Sequence, residues 1–153
     1  MKYTIRLAGS EDKDSVISIA RQMITETKVY DVFTLDETKI ERMFYHWIEN
    51  PDALILILES DGVVIGGFIG EIFTPFYSDE KMAVDHIWYV HPDHRKSSAG
   101  MTLMKMYRDW AKLNGVKLIN AAVTFGYEKE SIDIVLNRFG FKHIGYQYVM
   151  KGE

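Results

Sequence analysis

The chain has no cysteine and only three prolines, and none of its apolar runs is long. The missing thiols exclude disulfide bridges, thiolate zinc sites and a cysteine nucleophile. No segment reaches the roughly 18 consecutive apolar residues that a membrane-spanning helix needs. No apolar run follows Lys2, as one would in a signal peptide. We therefore expect no membrane association and a cytoplasmic location.

Neither sign of charge is in large excess. The chain carries 18 basic and 22 acidic residues, which gives a net charge of −4. Nucleic-acid binding depends on a basic face, so we expect no nucleic-acid partner, and the acidic balance slightly favours a cationic small molecule. A length of 153 residues with 47% hydrophobic residues suits one core. We expect a single domain over residues 1–153.

Hydrophobic periodicity predicts the element order β-α-α-β-β-β-α-β-α-β, which is a mixed α/β domain. The Asp61-Gly62 pair is a strong signal for a tight hairpin. Helical spacing covers 11–26, a segment ending at Asn50, 100–113 and 128–139. Strand-like patterns cover 3–8, 53–59, 63–73, 82–90, 116–125 and the end of the chain through Met150.

The stretch from His86 to Met101 carries most of the chemical information. A strand ends at Pro92, two cations (Arg95 and Lys96) and small residues follow, and a helix begins near Gly100. The unpaired amides and dipole of a helix N-terminus attract anions, and small side chains allow close approach. The loop therefore fits a diphosphate. The alternative is an ordinary strand–helix connection with surface cations.

This loop resembles the cofactor motif of the GNAT superfamily of N-acetyltransferases, which reads Arg/Gln-x-x-Gly-x-Gly/Ala after a strand ending in Val-x-Pro. Here it reads Arg95-x-x-Ser98-x-Gly100, with serine for the first glycine. The element order and the ending Gly-Phe…Gly-Tyr at 140–146 also resemble the family. The resemblance implies a single-domain α+β-like fold. Its central sheet would be mixed and mostly antiparallel, flanked by about four helices and splayed at an acetyl-CoA groove.

By that resemblance, acetyl-CoA is the co-substrate and an amine is the acceptor. A homodimer is an expectation at the family level only. The main chain of the strand would pair with the pantetheine arm, and a backbone N–H there would polarise the thioester oxygen. The implied cofactor-binding residues are Trp88, Tyr89, Val90, Arg95, Lys96, Ser97, Ser98, Ala99 and Gly100.

Three positions depart from the family pattern. Lys129 and Leu136 stand where the family often has an Asn and a Tyr, counting back from Gly140. That Tyr frequently protonates the departing thiolate, which leucine cannot do. Either Tyr127 or water protonates the thiolate instead, or the activity is altered or lost. The alternative function is therefore a degenerate module that binds CoA, acyl-CoA or a protein without turnover. Ser98 would be strained if its backbone needed a positive φ.

Amine acetylation needs a group that removes a proton from the amine. Asp85 and His86 on the predicted 82–90 strand are the catalytic candidates, and Glu71 on the preceding strand comes next. Alternation places Asp85 and His86 on opposite faces, so only one points at the substrate unless a bulge intervenes. The alternative for each is a polar side chain satisfied by a neighbour. We expect no metal site from His86, His91 and His94.

Two further patterns have structural alternatives. The glycines of Gly66-Gly67-x-x-Gly70 lie within a strand, which favours close backbone approach or a bulge over a dinucleotide site. Aromatic residues stand in or beside the two loops that flank the acceptor site in the family. They form either an acceptor pocket or ordinary packing, and they are Tyr30, Phe33, Phe73, Phe76 and Tyr77.

Overall fold

A computed structural model describes residues 2–27, 31–123, 129–145 and 147–152 of the chain. The strands are β1 (Tyr3–Leu7), β2 (Ala53–Ser60), β3 (Val63–Phe73), β4 (Met82–Val90) and β5 (Leu118–Ile119). The helices are α1 (Lys13–Glu26), α2 (Glu37–Glu49), α3 (Ala99–Leu113) and α4 (Lys129–Arg138). Short 3₁₀ turns cover Ser10–Asp12 and Pro92–His94.

The five strands form one sheet in the order β1-β2-β3-β4-β5. Neighbours from β1 to β4 are antiparallel, and β5 pairs with β4 in parallel. The hairpin between β2 and β3 turns at Asp61 and Gly62, whose φ angles are 49° and 83°. Two consecutive positive φ angles are what a type I′ turn requires, so the predicted hairpin is confirmed.

Helices cover both faces of the sheet. Helices α1 and α2 bury Val16, Ile19 and Phe44 against one face, which we call the α1/α2 face. Helix α3 buries Leu103 and Tyr107 against the other, and α4 packs beside it; this is the α3/α4 face. The mixed, mostly antiparallel sheet and its flanking helices confirm the predicted fold class.

Glycines in β3 let neighbouring groups approach closely. A Cβ on Gly66 would lie 2.3 Å from the Tyr89 carbonyl oxygen, and one on Gly70 would lie 2.8 Å from the Tyr107 ring. Real side chains do not tolerate contacts that short. Close approach, rather than a nucleotide loop, therefore explains this glycine pattern.

The last third of the chain departs from the predicted elements. The strand predicted over 116–125 reduces to Leu118–Ile119 within the described residues, and positions 124 and 125 lie outside them. The predicted final strand is absent from 141–145 and 147–150. None of the helices in the described ranges combines the length and apolar content that crossing a bilayer requires.

Candidate active site

The sheet opens between β4 and β5. Among the described residues, these strands pair only at Met82 with Leu118 and at Ala83 with Ile119, and the Asn120 amide adds a 2.8 Å hydrogen bond to the Ala83 carbonyl. Beyond that point, no described residue of β5 pairs with the rest of β4. The outer edge of β4 beyond Ala83 therefore pairs with no strand among the described residues, and we call the space beside this open edge the groove.

Backbone alternation decides which peptide groups line this groove. The His91 amide donates to the carbonyl of Ile65 in β3 at 2.7 Å, so the backbone amide of residue 91 points toward β3. Successive residues of a strand alternate, which turns the amide and carbonyl of Val90 and Trp88 toward the groove and those of Tyr89 toward β3. The predicted pairing with a pantetheine arm therefore narrows to Trp88 and Val90, because Tyr89 is engaged with Gly67.

A β-bulge lies in β4 beside the point of divergence. Ile69 pairs with Ile87 and Gly70 pairs with Asp85, which leaves His86 as an extra residue. The bulge shifts the alternation, so that His86 and Ile87 both lie on the α1/α2 face while Asp85 contacts the opposite side. The prediction that Asp85 and His86 occupy opposite faces agrees with these contacts.

Three amides of the predicted diphosphate loop are already used inside the loop. The amides of Arg95 and Ser97 donate to the carbonyls of Pro92 and His94 at 3.3 and 3.2 Å. The Ala99 amide donates to the Ser97 hydroxyl at 3.3 Å. These hydrogen bonds shape the turn that leads into α3.

The intervening amides are available. Within the described part of the chain, the amides of Lys96, Ser98 and Gly100 donate to no acceptor. They alternate with the engaged amides at the N-terminus of α3, where the helix dipole favours negative charge. The predicted anion site thus reduces from six amides to these three.

The conformations of Ser98 and Gly100 suit this site. Ser98 has φ −76° and ψ −2°, so the serine in place of the family glycine carries no backbone strain. A Cβ on Gly100 would make only ordinary contacts, at 3.6 Å to Val90 and 3.8 Å to Trp88. The fold does not need glycine there, and the missing side chain leaves room for a ligand beside the helix.

The Arg95 side chain is turned away from solvent. Its Nε donates to the Val90 carbonyl at 2.8 Å, its guanidinium pairs with Glu26, and it lies 5.5 Å from the Tyr89 ring centre. The Tyr89 hydroxyl also donates to Glu26, and burial together with this carboxylate raises the Tyr89 pKa. The Arg95 charge is therefore neutralised, and exposed Lys96 remains as the loop cation.

Glu26 is a residue that sequence reasoning missed. It is the last residue of α1, where the helix dipole disfavours an acidic side chain. That unfavourable position was the available signal. The Arg95 guanidinium compensates for it and ties α1 to the loop that precedes α3.

Asp85 is half-buried on the α3/α4 face. Its Oδ1 accepts a hydrogen bond from the Ala122 amide at 2.9 Å, which bridges β4 to the segment after β5. Burial raises its pKa to about 6, although hydrogen bonds from backbone amides oppose this change. Asp85 can therefore exchange a proton near neutral pH.

His86 lies on the α1/α2 face beside Glu71. The His86 Nε2 and Glu71 Oε2 atoms are 2.8 Å apart, and the His86 ring stacks on Trp47 at 5.2 Å. Three predicted candidates therefore divide into a Glu71–His86 pair on one face and Asp85 on the other. Trp47 was not predicted as part of the site.

The remaining predictions concern residues around the groove. Leu136 packs against the core of the α3/α4 face, and its aliphatic side chain has no proton to donate. Tyr127 and Tyr30 lie outside the described residues, as does the side chain of Lys129. Among the described residues, no three His, Asp or Glu side chains are grouped to hold a metal ion.

The predicted aromatic side chains that lie within the described residues face solvent. Phe76 is fully exposed, and its ring packs edge-on against Tyr77 at 5.1 Å. Phe33 and Phe73 are also exposed. Exposed aromatic groups of this kind are compatible with an acceptor pocket.

Comparison with known proteins identifies one family. The model of the acetyltransferase (GNAT) family matches residues 20–141. No curated protein sequence matches the chain.

Solved structures share the fold at low sequence identity. Glucosamine-6-phosphate N-acetyltransferase from Arabidopsis thaliana superimposes with a TM-score of 0.75 at 15% identity, covering 100% of both chains. A predicted acetyltransferase with acetyl-CoA from Clostridium acetobutylicum gives 0.73 at 18% identity, covering 98% of this chain and 96% of that one. AAC(6')-Iy in complex with a bisubstrate analogue, CoA-S-monomethyl-acetylneamine, gives 0.74 at 13% identity over 100% and 99% of the two chains.

Proposed function

Because the chain belongs to the GNAT family of acetyltransferases, we propose that it transfers the acetyl group of acetyl-CoA to a primary amine by direct attack. The acceptor is a small molecule or a peptide. One observation carries the proposal. At the N-terminus of α3, beside the open edge of β4, three backbone N–H groups have no hydrogen-bond acceptor among the described residues.

The residues present fit acetyl-CoA as co-substrate. The amides of Lys96, Ser98 and Gly100 would hold the diphosphate, with the Lys96 ammonium nearby, and the space beside Gly100 permits close approach. The groove-facing peptide groups of Trp88 and the amide of Val90 would pair with the pantetheine arm; the Val90 carbonyl already accepts from Arg95 Nε. Bound there, acetyl-CoA supplies an activated acetyl thioester.

The chain itself must bring the amine to its neutral form, since an ammonium ion has no lone pair. Asp85 and His86 are the proposed proton acceptors. They lie on opposite faces of the sheet, so one of them serves the acceptor amine. Which face the acceptor approaches decides between them.

Calorimetry with CoA tests the binding site. We expect the wild-type chain to bind CoA, Gly100→Ala to weaken binding at least about tenfold by filling the space beside the helix, and Lys96→Ala to weaken it about three- to tenfold. Gly145→Ala, whose Cβ would meet nothing within 4 Å, and Lys112→Ala, at the far end of α3, are the matched controls. Absence of CoA binding at millimolar concentration contradicts the proposal.

A second function, CoA binding without turnover, is favoured by one observation. Leu136 packs into the core at the position where the family often supplies a proton to the thiolate. A thiol-release assay with a broad panel of amines separates the two functions. Steady CoA release that Asp85→Asn or His86→Gln abolishes supports the enzyme, whereas tight CoA binding with no release on any amine supports the binding module.

A further inference from the structure

A polar cluster on the α1/α2 face surrounds the carboxylate of Glu71. One oxygen, Oε2, lies 2.8 Å from His86 Nε2 and accepts from the Trp47 indole N–H at 3.4 Å. The other, Oε1, accepts from Asn50 Nδ2 at 3.1 Å and lies 3.7 Å from His46 Nε2. Helix α2, its C-cap and two strands therefore converge on this one side chain.

These contacts make Glu71 a poor proton acceptor. A carboxylate has about four lone-pair positions, and four neighbours already approach its two oxygens. Burial alone would raise the pKa of Glu71, but the hydrogen bonds from His86 and Trp47 and the nearby imidazoles lower it below its ordinary value. Glu71 therefore stays ionised and works through its neighbours.

The same contacts fix His86 in place. An ionised carboxylate only accepts, so the proton of the hydrogen bond belongs to Nε2 of His86. Stacking on Trp47, with the ring planes 29° apart, sets the orientation of the imidazole. Within the described residues no group contacts Nδ1 by a hydrogen bond, and 36% of the side chain is exposed.

Asp85 is less suited to the same task. It lies on the other face, near the buried Tyr107, and the Ala122 amide occupies one of its oxygens. Its hydrogen bond joins β4 to the segment after β5, where the two strands part. That position suits a structural bridge at the apex of the groove.

We propose that His86, through Nδ1, removes the proton from the acceptor amine, and that Glu71 is the positioning residue that holds the ring and balances its charge. The inference rests on the proposed acetyl transfer. His86 Nδ1 takes a proton from the bound ammonium, which frees the nitrogen lone pair for attack, and then passes that proton to water. As the C–N bond forms and the C–S bond breaks, the C–S electron pair goes to sulfur, and the second proton lost by the amine reaches the thiolate through water.

Steady-state kinetics on four variants tests the pair. We expect His86→Gln to lower kcat by about 100-fold or more, the usual size of a general-base contribution, and Glu71→Gln to lower it about tenfold. KM for acetyl-CoA should change less than about twofold in both. The double variant should be no slower than His86→Gln, because Glu71 acts only through His86. Glu49→Gln, an exposed position on α2, is the matched control and should equal wild type.

The pH profile separates a chemical role from a structural one. Primary amines lose their proton near pH 10, so the deficit of His86→Gln should shrink as the pH rises from about 7 toward 10. The titratable groups that influence the ring are His46 on α2 and Glu71 on β3, which lie on its own face, and Asp85 on β4, which lies on the other face. If the substitution only destabilised the fold, the loss of kcat would be the same at every pH and the melting temperature would fall. Trp47→Phe, which keeps an aromatic stack and removes one hydrogen bond to Glu71, should lose less than Glu71→Gln.

Failures of the two proposals are distinguishable. Wild-type turnover with unchanged kcat in His86→Gln, or an additive double variant, overturns the role of the pair and leaves acetyl transfer standing. A wild-type chain that binds CoA but releases none with any amine overturns both.

Discussion

At the scale of single residues, Asp85 is the clearest conflict between burial and charge. Its ordinary pKa is 3.8 and burial raises it to about 6. The folded state therefore holds this proton more tightly than the unfolded chain does. The stabilisation is complete below about pH 4 and is lost as the pH rises through 6.

We predict that Asp85→Asn removes this loss. As the pH rises from about 4 to about 7, the free energy of unfolding of the variant should increase relative to that of wild type by up to about 3 kcal/mol. The reason is that each unit of pKa shift corresponds to about 1.4 kcal/mol. The neutral amide keeps an oxygen for the Ala122 amide. Urea unfolding across this pH range measures the difference, with the exposed Asp79→Asn as control. A difference that does not vary with pH contradicts the prediction.

At the scale of elements, β4 has two unlike edges. One edge pairs with β3 along its whole length, and the other pairs with β5 only near Met82 and Ala83. Amides on the open edge exchange with solvent unless a ligand covers them.

We predict that acetyl-CoA slows hydrogen exchange at the amides of Trp88 and Val90. The Tyr89 amide faces β3 and the Ile57 amide lies in β2, so both should slow only by the common factor that stabilisation of the whole fold gives, whereas Trp88 and Val90 should slow by more than that factor. Residue-resolved NMR exchange measures these rates. Protection at Tyr89 in place of Trp88 and Val90 would contradict the assignment of the groove edge.

The elements also show where sequence patterns mislead. The apolar residues of the C-terminal segment predict a strand, but a strand needs a neighbouring strand, and the described residues after α4 join no strand of the sheet. The prediction of the β2–β3 hairpin was confirmed because Asp61-Gly62 is a local signal and the two paired strands are neighbours in the chain. Pairing over longer distances is not written in the local pattern.

At the scale of the whole molecule, the proposed ligand site joins elements from both faces of the sheet. Loop 95–100 connects β4 to α3, and Glu26 ties it to α1 on the opposite face. A ligand that binds only the folded chain stabilises all of these elements together.

We predict that acetyl-CoA at about 100 times its dissociation constant stabilises the fold by about 2.7 kcal/mol. For a domain of this size that corresponds to a rise in melting temperature of about 5–11 °C. Gly100→Ala should show a smaller rise at the same concentration, whereas Gly145→Ala should match wild type. Calorimetric melting curves test this, and identical shifts for the two variants would argue against ligand contact at Gly100.

The sequence by itself determined the periodic helices and strands, the tight hairpin and the small-residue loop between β4 and α3, because each depends on residues close together in the chain. Only the tertiary structure decided which loop amides are free, that Tyr89 faces β3, and that His86 occupies a bulge beside Glu71. It also gave Arg95 a partner 69 residues away in Glu26. Such facts follow from which strands pair, in what register, and which helices lie on them, and local preferences do not contain that information.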